Sequence, residues 1–303
     1  YHKTSYIGSS LPRAVISYWI FDALDVVGYN YKEHLYEESH KRFPDKPFLG
    51  SENGGGYEQW CAVRDNAYIS GQFLWTGIDY LGEANWPQRS AGCGCLDTCG
   101  FEKDAFYFYK SVWNQNEKFA YLCPHWNLKL EKGTVLPVIC YTNCEDAELF
   151  VNGHSFGMKS KGFPCYGMTE RYGHFDRYRR PANTDDLFLS WDVPFEPGKL
   201  EVVGYHDGKE VCRYVVETTG PADSIELAVD QLSLSADGRS VAQAEIRIVD
   251  REGRLVPDAC PELDFTLEGD GEIIGIDNGD PACHEQWKEK MGRHAFNGMA
   301  YAI

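Results

Sequence analysis

The stretch Lys46-Pro-Phe-Leu-Gly-Ser-Glu52 is a short apolar run that ends on a carboxylate. Its flanks decide how it folds. Upstream, Asp25-Val-Val-Gly-Tyr-Asn-Tyr31 is a second buried-strand run, ending in polar aromatics. Between the two, the spacing predicts a helix over Lys32 to Arg42, stopping at Phe43-Pro44 because the residue before a proline avoids helical backbone. Downstream come a Gly-rich loop, Asn53 to Gly56, and a helix predicted over Tyr57 to Ile69. A third strand follows, Ser70-Gly-Gln-Phe-Leu-Trp-Thr-Gly77. A long Gly/Pro loop runs to Gly100, and Asp104 to Trp113 reads as a helix. Strands alternating with helices predict a parallel sheet with crossover helices.

From about Tyr121 the texture changes to strands joined by turns. Thr134 to Thr142 is strand-like, and Glu148-Leu-Phe-Val151 runs into Asn152-Gly153, a strong hairpin signal. Strands over Leu187 to Val193, Leu200 to Tyr205 and Glu210 to Glu217 complete a sandwich of immunoglobulin-like size, with Asp207-Gly208 as a turn. Gly220-Pro221 reads as a linker. Strands over Ser224 to Val229, Val241 to Val249, Leu263 to Leu267, Glu272 to Asp277 and the final His294 to Ile303 repeat the texture.

Composition narrows the function classes. The 303 residues carry 29 Lys+Arg against 46 Asp+Glu, a net charge of −17, which argues against a nucleic-acid or anionic-membrane partner. No apolar run approaches the roughly 18 residues of a membrane span. The 11 cysteines, scattered and odd in number, fit buried thiols in a reducing compartment better than a disulfide framework, so the expected location is cytoplasmic. Cys93, Cys95 and Cys99 share a Gly-rich loop, but no paired C-x-x-C follows and no metal is expected. No cofactor is expected either. The chain starts at Tyr1 without a signal peptide and stops on apolar residues, which reads as a piece cut from a longer protein.

Three predicted strands end on polar or aromatic residues: Asn30 with Tyr31, Ser51 with Glu52, and Trp75. In a parallel α/β barrel, active sites lie at the C-terminal strand ends. A carboxylate ending an apolar strand needs partners. A tyrosine hydroxyl from the adjacent strand could supply one, and a tryptophan from the next could floor a sugar ring. Spacing alone weighs this evenly against Glu52 merely capping the next helix.

The three runs, the last extending through Asp79, together resemble the final strands of the catalytic barrel of glycoside hydrolase family 2. That family contains β-galactosidases, β-glucuronidases and β-mannosidases. Cys99-Gly-Phe-Glu-Lys-Asp-Ala-Phe-Tyr-Phe-Tyr109 and Trp113 resemble the last loop and helix of its galactosidase-like branch. Trp126-Asn127, Glu148 to Gly157, Trp191 to Gly198 and Tyr205 to Lys209 resemble the immunoglobulin-like domain that follows. Asp277-Asn-Gly-Asp-Pro281 with Arg293 to Gly298 resembles a further C-terminal one.

The resemblance implies a fold of α/β plus all-β class. A partial (β/α)8 barrel spans 1–122, an immunoglobulin-like sandwich 123–219, and a second, incomplete sandwich 220–303. It implies Glu52 as nucleophile, Tyr31 as the residue that orients it, and Trp75 as the lining of the sugar subsite. Asn30 and Asn53 are further substrate-binding candidates and Asp79 a weaker one, although ordinary strand-end hydrogen bonding is the first reading of each. The reaction implied is hydrolysis of a β-linked oligosaccharide or glycoside, with retention requiring two carboxyl groups about 5–5.5 Å apart.

The family's acid/base glutamate follows an asparagine on an earlier strand. The sole Asn-Glu pair here, Asn116-Glu117, follows the last helix. The chain alone is therefore expected to be inactive. The loop after the third strand lacks the Asn-x-Lys clamp of glucuronidases, which favours a β-galactosidase over a β-glucuronidase or β-mannosidase. Arg89 there reads as a solvated cation. Lys159 to Asp186 is a basic, aromatic insertion, read first as a long hairpin loop. A homo-oligomer of the full-length protein stays open, as does a non-catalytic carbohydrate-binding or spacer module built from the two β domains.

Overall fold

The computed structural model describes residues 4–7, 19–55, 57–160, 188–286 and 292–303. The basic, aromatic insertion lies outside these residues from Lys161 onward. Lys159 itself is described, and its Nζ donates to the Ser190 carbonyl at 2.6 Å. The described chain falls into two units, one ending at Gly77 and the other starting at Ile78.

The first unit is a four-stranded parallel sheet in sequence order: β1 (Thr4–Ile7), β2 (Val26–Asn30), β3 (Phe48–Asn53) and β4 (Ile69–Leu74). Three helices lie between these strands in sequence: α1 (Trp19–Asp22), α2 (Tyr36–Arg42) and α3 (Tyr57–Arg64). Parallel neighbours need such crossovers, and β2 is buried along nearly its whole length, as a strand covered on both faces is. Phe21, Leu24, Val27, Tyr29, Leu35, Tyr36, Phe48 and Ile69 form its core. β1 has no counterpart among the strands predicted from sequence.

Two helix boundaries differ from expectation. The stretch after β2 opens with a 3-10 turn, Glu33–Leu35, before α2 begins. The helix predicted to reach Ile69 stops at Arg64, because the Asn66 side chain caps the Ala62 carbonyl at 2.9 Å and the chain turns into buried Ile69. β4 ends at Leu74, three residues short of its predicted end.

The second unit opens with a small hairpin, β5 (Tyr80–Leu81) and β6 (Ser90–Ala91), then α4 (Asp104–Trp113), which has the predicted bounds. Next come β7 (Ala120–Cys123), β8 (Val135–Thr142), β9 (Asp146–Val151), β10 (His154–Ser160), β11 (Leu189–Pro194), β12 (Lys199–His206) and β13 (Lys209–Glu217). They form two antiparallel sheets, β10-β9-β12-β13 and β11-β8-β7. Alternate residues of both meet in one core around Trp126, Leu149, Trp191 and Val202, as in a β-sandwich. Asn152-Gly153 and Asp207-Gly208 both carry positive φ, matching the right-handed twist that two-residue hairpins need. Helix α4 is anchored to this sandwich: Phe108 packs edge-on to Tyr141, and the Tyr121 hydroxyl donates to Asp104 at 2.9 Å.

The last strands are β14 (Ser224–Val229), β15 (Ala244–Val249), β16 (Glu262–Asp264), β17 (Ile276–Asp277), β18 (Gly292–His294) and β19 (Met299–Ala302). They give a sheet β14-β15-β19-β17 and a pair β16-β18 over a thin core of Ile246, Ile248, Leu263, Ile276 and three alanines. The single strand expected over His294 to Ile303 is broken by an Asn297-Gly298 turn, where both residues have positive φ. Every residue of β14 is exposed. A cleft of about 780 Å³, lined by Ile225, Leu227, Leu234, Phe265 and Ile274, opens beside it. No helix among the described residues is long and apolar enough to cross a membrane.

Candidate active site

Within the first unit the C-terminal tips of β2, β3 and β4 are joined by backbone hydrogen bonds. Asn30 pairs in register with Glu52, and Asn53 with Leu74. Just past β2, the Tyr31 amide donates to the Glu52 carbonyl at 2.9 Å, and just past β4 the Trp75 amide donates to the Asn53 carbonyl at 3.1 Å. The main chain therefore brings Tyr31 beside Glu52 and Trp75 beside Asn53 at three neighbouring strand tips. Tyr31 takes φ +51°, a region that bulky residues seldom occupy.

The side chains divide by environment. Glu52 is half-buried and has no ion pair among the described residues. Asn30 is 1% exposed, and its Nδ2 has no hydrogen-bond partner among the described residues. A buried donor in that state costs about 1–3 kcal/mol. Trp75 is 43% exposed.

Asn53 is different. It is fully buried, its Oδ1 accepts from the Tyr36 hydroxyl at 3.4 Å, and its Nδ2 donates to Gln72 Oε1 at 3.0 Å. Gly50 makes room for this amide, since a Cβ there would fall 2.3 Å from Asn53 Oδ1. With its amide taken up by the protein, Asn53 supports the strand tips from beneath. Burial pushes the Tyr36 phenol up to about 12. Tyr36 and Gln72 were not visible as site residues in the sequence, because their role is to hold Asn53. Glu33 lies on the turn after β2. Burial raises its carboxyl above the usual range, and its Oε1 is buried without a partner among the described residues.

In the second unit Asp79 is 5% exposed and serves as a loop anchor. Its carboxylate takes the Gly94 amide at 2.7 Å and Lys103 Nζ at 3.0 and 3.1 Å. Arg89 is no solvated cation: its Nη2 lies 3.1 Å from Asp277 Oδ1, and both side chains are largely buried. Cys93, Cys95 and Cys99 do not converge. Among the described residues the ligand atoms of three His, Cys or acidic side chains come together only at exposed Glu145, Asp207 and half-buried His206.

Comparison with known proteins gives two family matches. Residues 133–212 match a domain of unknown function, DUF4982, and residues 225–303 match glycoside hydrolase family 2 C-terminal domain 5. The chain is 33% identical to the β-galactosidase BoGH2A of Bacteroides ovatus, over 92% of this chain and 36% of that protein. It is also 33% identical to a putative β-glucuronidase of Formosa agariphila, over 73% of this chain and 20% of that one. Among solved structures, a glycosyl hydrolase family 2 member from Bacteroides cellulosilyticus superposes with a TM-score of 0.84 at 27% identity, covering 97% of this chain and 40% of that one. The chain therefore spans about a third or less of the curated relatives described.

Proposed function

We propose that this chain, a C-terminal segment of a glycoside hydrolase family 2 protein, carries the nucleophile of a retaining β-glycosidase, most simply a β-galactosidase. β1 to β4 are then the last four strands of a (β/α)8 barrel, and their C-terminal tips form one side of the active site. The observation that carries this reading is the gathering of Tyr31, Glu52 and Trp75 at the tips of three neighbouring parallel strands, with Tyr31 bonded through its amide to Glu52 and Trp75 to the adjacent Asn53.

In this reading Glu52 attacks the anomeric carbon and forms a glycosyl-enzyme. A second carboxyl group protonates the leaving oxygen and then activates water. Tyr31 orients the nucleophile, and Trp75 gives the sugar ring an apolar wall. Asn30, at the tip of β2, stays a substrate-binding candidate by its place, although its Nδ2 is buried, without a partner among the described residues. Asn53 positions the strand tips and does not touch substrate. The proton donor comes from chain outside these residues. The absent Asn-x-Lys pair favours galactosides, and Arg89, paired with Asp277, is not free to clamp a sugar carboxylate.

The test is Glu52→Gln in the full-length protein. Turnover of a nitrophenyl β-galactoside should drop roughly a thousandfold or more, as loss of a covalent nucleophile does, with an unchanged circular dichroism spectrum. Retained turnover in a folded variant removes Glu52 from the mechanism. A parallel assay on the β-glucuronide separates the two sugar classes.

A further inference from the structure

The loop joining β5 to β6 carries a large aromatic side chain, Trp86. Trp86 is 82% exposed. Its neighbours Asn85 and Gln88 are exposed and polar. Leaving a large indole in water forgoes burial that most tryptophans obtain.

The loop that presents it is nonetheless firmly held. Gly82 N donates to the Arg89 carbonyl at 3.0 Å, and Gln88 N to the Asn85 carbonyl at 2.9 Å. The strands at the end of the chain supply the rest. Arg89 N donates to the Pro281 carbonyl at 2.8 Å, and the Arg89 guanidinium pairs with Asp277, which also takes the fully buried Arg293 at 2.8 Å. His284 Nε2 lies 2.6 Å from the Pro87 carbonyl, so that nitrogen carries the proton and donates it. The His284 ring then stands 4.7 Å from the Trp86 ring, tilted by 32°. These hydrogen bonds hold the loop on both sides of Trp86, and the His284 ring flanks the indole, most of whose surface is exposed.

We propose that Trp86 is a binding platform for a pyranose ring of a β-linked oligosaccharide, with His284 as its positioning residue. A pyranose has an apolar C–H face that covers an indole and a rim of hydroxyls that polar side chains such as Asn85 and Gln88 can bond. A rigid aromatic anchor gives such contact at low ordering cost. The identity of the ligand as a sugar rests on the glycosidase reading. The platform itself uses no residue of the strand-tip site.

The experiment is a titration of the full-length protein, labelled with 5-fluorotryptophan, with a β-1,4-linked galacto-oligosaccharide, followed by fluorine NMR. The chain has eight tryptophans, and the signal lost in Trp86→Ala identifies the one of interest. That signal should shift saturably. Calorimetry should show binding weakened by about tenfold or more in Trp86→Ala, a range usual for truncating an interface tryptophan. Trp86→Phe should recover part of the affinity, and His284→Ala should weaken binding several-fold in a chain that melts normally. Glu52→Gln should leave the shift unchanged, so the platform and the nucleophile are tested separately. An unmoved Trp86 signal, or equal affinity in a folded Trp86→Ala chain, overturns the platform even if Glu52 proves catalytic.

Discussion

Tyr31 holds a left-handed backbone conformation, and only its surroundings can sustain it. A bulky residue at φ +51° costs of order 1–3 kcal/mol. The return is that its amide meets the Glu52 carbonyl. Tyr31→Phe keeps the ring and this hydrogen bond and removes only the hydroxyl. On the proposed reading, in which this hydroxyl orients the nucleophile, it should lower kcat of the full-length protein by about 10²-fold with little change in melting temperature, as measured by steady-state kinetics beside a thermal scan. Asn53→Ala should behave in the opposite sense on stability. It strands the Tyr36 hydroxyl and the Gln72 oxygen, so equilibrium urea unfolding should show a loss of about 2 kcal/mol or more. Neither asparagine could be sorted from its neighbours by sequence. Asn30 and Asn53 both end a strand, yet one is buried with a spare donor and the other is fully engaged. That difference depends on Gly50, Tyr36 and Gln72, which are brought near by packing rather than spacing.

At the scale of elements, most strands were legible because burial imposes a period on them. β9 alternates buried and half-buried along its length, and its Asn-Gly turn fixes the register of the next strand. The same rule fails for β14, whose predicted bounds hold although no residue of it is buried. The Gly220-Pro221 linker hides a different device. The Gly220 amide donates to Asp250 Oδ2 at 2.9 Å, and Asp250 also takes the Arg254 guanidinium, with the nearest nitrogen at 2.7 Å. The hydrogen bond from Arg254 holds the Asp250 carboxyl well below the usual carboxylate range. A carboxyl depressed in the folded state stabilises fully above its unfolded value of about 3.9, and that stabilisation fades as pH falls below it. Melting temperatures of the wild type and Asp250→Asn should therefore differ at neutral pH and converge as the buffer is taken down through pH 4 to 2. A gap that stays constant with pH would assign Asp250 a purely steric role.

For the molecule as a whole, one carboxylate does not make a retaining glycosidase. The purified 303-residue chain should release no nitrophenol from either the β-galactoside or the β-glucuronide above buffer. Release that survives Glu33→Gln but not Glu52→Gln would reveal a proton donor elsewhere in this chain, and release lost with Glu33 would name it. The cleft beside β14 bears on every such assay. Water wets Ile225, Leu227 and their neighbours at a free-energy penalty of roughly 25 cal/mol for each Å² left bare. Such a surface acts as an adhesive in dilute solution. Sedimentation velocity on the purified chain should show boundaries that speed up with loading concentration, a solvatochromic dye such as ANS should brighten on contact, and Leu227→Lys should quench both behaviours together.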